Sequence, residues 1–216
     1  MPEFSIRPYE PQQRQAVFQI AADTAYFGAP VEAFLDDRQL FCDAFCGYYT
    51  DQEPELVRVA CADDQVIGYI MGSLDTAQKQ KYWLKKTLPW LVARLAGGRY
   101  RVGKRTLAYA RRMAGGWLRD EFPRPALALY PAHLHINLQD GWRGYGLGRK
   151  LMEAYLGELR SMHTRGVHLE TTSANMAACI LYEKMGFKLL DSRLTRTWQG
   201  VYSGEIENRC YGLLLG

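Results

Sequence analysis

The chain has 216 residues, 48% of them apolar and 23% charged, and a formal net charge of +4 at neutral pH. That length suits one domain with a substantial core, and that composition excludes a disordered chain. No run nears the roughly 18 uncharged apolar residues of a spanning helix, and MPEFSIRPYEPQQRQ at the amino terminus lacks the apolar stretch of a secretory signal.

FSIRPYEP predicts a short first strand ending at a proline turn. Residues 11–27 and 30–47 carry helical spacing of apolar positions, broken at Gly28-Ala29-Pro30. Residues 55–62 and 65–73 read as two strands, in which Val57, Val59 and Cys61 alternate with polar or small neighbours. Asp63-Asp64 makes the turn between them.

The next segment differs in charge. Thr76 to Arg119 holds 12 Lys or Arg and no Asp or Glu, leaving 15 basic against 23 acidic residues elsewhere. It predicts two helices around Gly97-Gly98, with Pro89 kinking the first and Gly115-Gly116 weakening the end of the second. Trp83, Leu84, Thr87, Leu88, Leu91 and Leu95 fall on one broad stripe beside Lys81, Lys85 and Lys86. An amphipathic hairpin packed over the fold, its charges in water, accounts for this pattern. A lid over an acceptor site, a homodimer contact, and docking on nucleic acid or an anionic membrane through 76–119 are the alternatives. The chain is thus expected to be one domain, 1–216, with residues 76–125 as a helical basic insertion.

FPRPALALYP connects to a strand at 132–139, a helix running from Gly148 to Gly166, and a strand at 167–173. Met176 to Met185 is helical and capped by Gly186, FKLLDSR returns as a strand, and 207–215 is the last. This order predicts an α/β sandwich around a mixed sheet, interrupted by the insertion between the third and fourth strands. The five cysteines are scattered in apolar contexts. Cys42 and Cys46 stand one helical turn apart, but no second pair completes four ligands, so structural thiols, no metal and a reducing cytoplasm are expected.

The chemistry concentrates in RGYGLGRK, Arg143 to Lys150, between a strand and a helix. A helix start offers unpaired N–H groups and a positive dipole end, and glycines let phosphate oxygens approach; the alternative is a turn that needs glycine conformations. No Walker GxxxxGK[ST] is present. A dinucleotide fold would use Glu170, 22 residues beyond Gly148, as its ribose ligand. However, the glycines run GxGxG rather than GxGxxG, and only 46 residues follow Glu170.

Arg143-Gly144-Tyr145-Gly146-Leu147-Gly148, followed by Asn175 and by Tyr182 in CILYEKMGF, resembles the GNAT superfamily of N-acetyltransferases over roughly 130–193. FSIRPYEP and VIGYIMG resemble that family's opening strands. YPAHLHINL before the loop resembles bacterial proteins akin to the acetyltransferase-like domain appended to some O-GlcNAcases. The resemblance implies a mixed, mostly antiparallel central sheet with helices on both faces. It also implies acetyl-CoA as co-substrate and a small-molecule or peptide amine as acceptor, attacked directly in a ternary complex.

By the same resemblance, the backbone N–H near Leu138 meets the thioester carbonyl. The amides from Arg143 to Arg149 (Gly144, Tyr145, Gly146, Leu147 and Gly148 among them) hold pyrophosphate, with charge added by Arg143, Arg149 and Lys150. Tyr182 is the general acid for the departing sulfur, since a phenol is protonated at neutral pH; packing of its helix is the alternative. Asn175 bonds the pantetheine arm, pins the parted strands, or caps the following helix. His133, His135 and Asn137 share one strand face, so His135 is a candidate base, and Glu170 on the adjoining strand is the other. Histidines hydrogen-bonded within the sheet are the rival explanation. The alternative function is a weak or inactive acetyl-CoA-binding module that docks on a partner or membrane through its insertion.

Overall fold

The computed structural model describes residues 2–216. Seven strands form one sheet: β1 (Phe4–Pro8), β2 (Arg58–Ala62), β3 (Gln65–Ser73), β4 (Ala132–Leu138), β5 (Gly166–Thr172), β6 (Lys188–Leu194) and β7 (Glu207–Leu214). Their order is β1-β2-β3-β4-β5-β7-β6, and every neighbouring pair is antiparallel except β4 with β5. This is the mixed, mostly antiparallel sheet that the resemblance implied.

Strand alternation sorts the side chains into two cores. On one face Ile70, Leu134, Val167 and Leu169 meet α7 (Leu147–Ser161) and α8 (Met176–Lys184). The α7 stripe Leu147, Leu151, Met152, Tyr155, Leu156 and Leu159 is buried throughout, each large apolar side chain contributing about 1.5–3 kcal/mol. On the other face Val57, Val59, Tyr69 and Met71 pack with α1 (Arg14–Asp23), α2 (Arg38–Phe45) and α3 (Gly47–Gln52).

The helix expected over 30–47 is divided. A 3₁₀ turn at Val31–Ala33 precedes α2, which starts only where the Asp37 side chain accepts the Leu40 N–H at 2.8 Å. An acidic cap there ends one element and begins another.

Between β3 and β4 run α4 (Thr76–Tyr82), a π turn (Trp83–Thr87), α5 (Leu88–Ala96) and α6 (Lys104–Leu118). Pro89 leaves the Lys85 carbonyl without its usual donor, and the chain widens before it, with Leu88 N–H bonding Trp83 O. The extra residue rotates α5 by about 100° relative to α4, so the expected stripe does not bury as one. Leu91 is buried and Trp83 Nε1 donates to Ala44 O, while Leu84, Leu88 and Leu95 stay exposed. α6 runs only two residues past Gly115-Gly116, and Gly116 is needed for packing, since a Cβ there would come within 2.9 Å of the Phe122 ring.

The inserted helices are fastened to the α1–α3 face. Buried Asp43 accepts from Tyr100 Oη at 2.7 Å and Gln39 Nε2 at 2.6 Å, with Arg94 at 3.7 Å. The Asp36 carboxylate accepts from the Gly103 and Thr106 N–H groups and the Thr106 hydroxyl, capping α6 from outside its own chain segment.

Candidate active site

The sheet opens where β4 and β5 part. They pair only at Ala132–Val167 and His133–His168; beyond that β4 stays with β3 and β5 with β7. Gln139 N–H goes to Ile67 O in register with β3. Alternation along the strand therefore turns the Ile136 and Leu138 N–H groups away from β3, into the opening. The Leu138 N–H is therefore left without a partner on β3.

Past β4 the chain turns through Gly141, Gly144 and Gly146 at φ of 86°, 88° and 76°. Nothing lies within 4 Å of a Cβ at any of the three, so backbone conformation rather than crowding demands glycine. Gly146 stands at the start of α7 with no side-chain cap. The first amides of that helix, including those of Leu147, Gly148 and Arg149, lack intrahelical partners and suit an anion. The Tyr145 ring lies 5.5 Å from Phe4 and 6.2 Å from Trp142, bracing the loop against β1.

The charged residues of this loop divide. The Arg143 guanidinium leans onto Gly28, where an added Cβ would sit 2.6 Å away. Arg149 pairs with Glu153 at 2.7 Å along its own helix, and Lys150 is exposed. Leu147 is buried in the core and offers the loop only its backbone.

A cavity of about 320 Å³ occupies the opening between β4 and β5. Tyr182 and Asn175 reach it from α8 and the turn before it, His135 and Asn137 from β4, and Glu170 from β5. The structure thus brings residues of β4 together with those of the later run from β5 into α8. Burial, with Cys179 and Tyr211 nearby, raises the Tyr182 phenol well above its ordinary value, which keeps it protonated and able to donate. Asn175 occupies the cap position of α8 without a side-chain capping bond, so its amide is left to the cavity.

His133, His135 and Glu170 all project toward the α1–α3 face, opposite Ser73, Met71 and Cys210 in the strand pairings. His133 is buried, and a chain of bonds fixes its ring. Thr76 Oγ1 donates to Pro131 O at 2.8 Å and takes the His133 Nδ1–H at 2.9 Å. His133 Nε2 then accepts from Tyr49 Oη at 2.7 Å, and Tyr49 accepts from His135 Nε2 at 3.0 Å. His135 is left with a bare Nδ1, the tautomer a base requires.

His135 is open to the cavity, but the protein packed around it desolvates the ring and, with Lys79 and His168, lowers its pKa, so the ring is neutral near pH 7 but weakly basic. Glu170, also open to the cavity, responds in the other direction: desolvation by the surrounding protein raises its carboxyl, with Lys79 opposing. A raised carboxylate is the stronger acceptor for an ammonium proton. Lys79, held 5.4 Å over the Tyr49 ring, is itself depressed by burial. Neither Tyr49, Thr76 nor Lys79 carries a motif; each reaches the site through helix packing. Among the described residues no group of three or more His, Cys, Asp or Glu could hold a metal, and all five cysteines are free thiols.

The model of the acetyltransferase (GNAT) family matches residues 113–187. The solved structure of SsHAT is 31% identical over 100% of both chains, with a TM-score of 0.75. An N-acetyltransferase from Staphylococcus aureus Mu50 is 15% identical over 99% of each chain, with a TM-score of 0.61. The yncA protein of Salmonella typhimurium, solved with its cofactor acetyl-CoA, is 15% identical over 99% of this chain and 95% of its own, with a TM-score of 0.59. The last two share the fold.

Proposed function

The chain belongs to the GNAT family of acetyltransferases, and we propose that it moves the acetyl group of acetyl-CoA to a primary amine by direct attack in a ternary complex. The observation that carries this is the cavity between β4 and β5, which joins a protonated phenol on the α8 side to two proton acceptors on the α1–α3 side. The open, uncapped start of α7 fits a pyrophosphate, and Leu138 N–H fits the thioester carbonyl.

Glu170, with His135 beside the same cavity, takes the proton of the incoming ammonium. The neutral nitrogen attacks, the new C–N bond forms, and Leu138 N–H donates to the oxygen as its charge grows. The C–S bond then breaks as the new amide nitrogen gives its second proton to solvent, Tyr182 protonates the leaving sulfur, and solvent returns a proton to the phenolate. Cys179 is buried in a helix facing the core and has no part in the transfer.

A CoA-release assay with an amine panel, alongside equilibrium binding of acetyl-CoA, tests this. Tyr182→Phe is expected to lower kcat about 10²-fold with acetyl-CoA affinity unchanged. Binding of acetyl-CoA without acetylation of any amine would instead make the protein a binding module.

A further inference from the structure

We infer that the acceptor is a small apolar primary amine, an aryl- or alkylamine carrying one positive charge, and that the basic insertion forms the outer wall of its chamber. This rests on the acetyltransferase function proposed for the same cavity and narrows it. The acceptor side of the cavity is walled by Phe27, Phe41, Tyr109, Met113, Phe122 and Trp198, and among its polar residues Thr24 and Asn208 already donate within the protein, to Ile20 O and Glu121 O. Among the described residues the one formally charged side chain in its lining is Glu170. That composition matches a ligand with a single cation at the reacting end and hydrocarbon behind it.

The insertion explains how a basic segment yields an uncharged wall. Tyr109 and Met113 stand one turn apart on α6 and face the cavity. The cations of the same helix point elsewhere: Lys104, Arg105 and Arg111 are exposed, and Arg112 Nε donates to Thr197 O at 2.8 Å. That last bond ties α6 to the loop carrying Trp198. Tyr109 packs 4.7 Å from the Phe34 ring and 5.8 Å from Trp198, closing the aromatic side.

Two further features act against other acceptors. The 12 Lys and Arg of the insertion form a field that repels polyamines and other polycations. At about 320 Å³ the cavity also lies at the small end of ligand sites and is shared with the acetyl arm. Each methylene buried there tightens binding about fourfold.

The test is steady-state acetylation by the full chain with acetyl-CoA and a set of amines: 2-phenylethylamine, hexylamine, spermidine, glucosamine and a lysine-containing peptide. The two apolar amines are expected to exceed the other three by at least about tenfold in kcat/KM. Met113→Lys is expected to raise the KM for 2-phenylethylamine by about tenfold or more with the KM for acetyl-CoA unchanged, and Met113→Leu to restore it. Preference for spermidine, glucosamine or the peptide overturns the inference. So does acetyl-CoA binding without turnover of either apolar amine, or a KM for 2-phenylethylamine that ignores Met113→Lys in a variant whose circular dichroism is unchanged. Failure to bind acetyl-CoA is a separate result, and it overturns the acetyltransferase function itself.

Discussion

Tyr49 shows how much a single hydroxyl arranges. It stands between His133 and His135, and through Thr76 and Pro131 the bonding sequence leaves His135 Nδ1 free. His135 and Glu170 therefore face one cavity, and their environments move their pKa values in opposite directions. Glu170 should dominate. Its raised carboxyl is charged above its shifted pKa and protonated below it, so activity falls as the pH drops through that value. Glu170→Gln is expected to lower kcat/KM by about 10² or more and to erase that acidic limb from the pH profile. A variant that keeps the limb unchanged would move the role of base to another group. The alternation of His133, His135 and Asn137 was readable from the strand pattern, as was the shared face. The tautomer was not, because it depends on Tyr49 and Thr76, which stand 84 and 57 positions from His133.

The glycine loop, the α7 stripe and the strands on either side are set by local rules: period two, period 3.6, and φ values that glycine adopts freely. These elements were legible in the sequence. Tertiary contacts decided the others. Asp37 started α2 where apolar spacing suggested one continuous helix, and the Pro89 region answered with a π turn ahead of the proline. The insertion is tied to α2 at Asp43, a buried carboxylate that accepts from Tyr100 and lies near Arg94 of the insertion while also accepting from Gln39 of its own helix. Asp43→Asn removes the charge and weakens two short bonds, at an expected cost of about 1–3 kcal/mol. Urea denaturation should show a lower midpoint, and limited proteolysis should cut first between residues 76 and 119. Unchanged stability and protection would mean that the segment is held by its apolar contacts and by its other polar ties, the Asp36 cap of α6 among them.

At the scale of the molecule, the sheet acts as a partition that opens at one place. α7 and α8 occupy one face with the glycine loop and Tyr182, while α1–α3 and the inserted α6 occupy the other with the aromatic walls of the cavity. The parting of β4 from β5 lets one cavity reach both. The donor side was legible because its residues follow one another between positions 138 and 187. The acceptor side was not, because Phe27, Phe41, Tyr109, Phe122 and Trp198 come from segments up to 171 positions apart and share no pattern. The most direct test of transfer across this partition is a structure and dissociation constant for a bisubstrate analogue, 2-phenylethylamine joined to CoA through an acetyl bridge. The analogue should bind about 100-fold or more tighter than CoA, with its pyrophosphate at Gly144–Gly148 and its amide nitrogen beside Glu170. Affinity no better than that of CoA, with the phenyl group outside the aromatic chamber, would contradict the account.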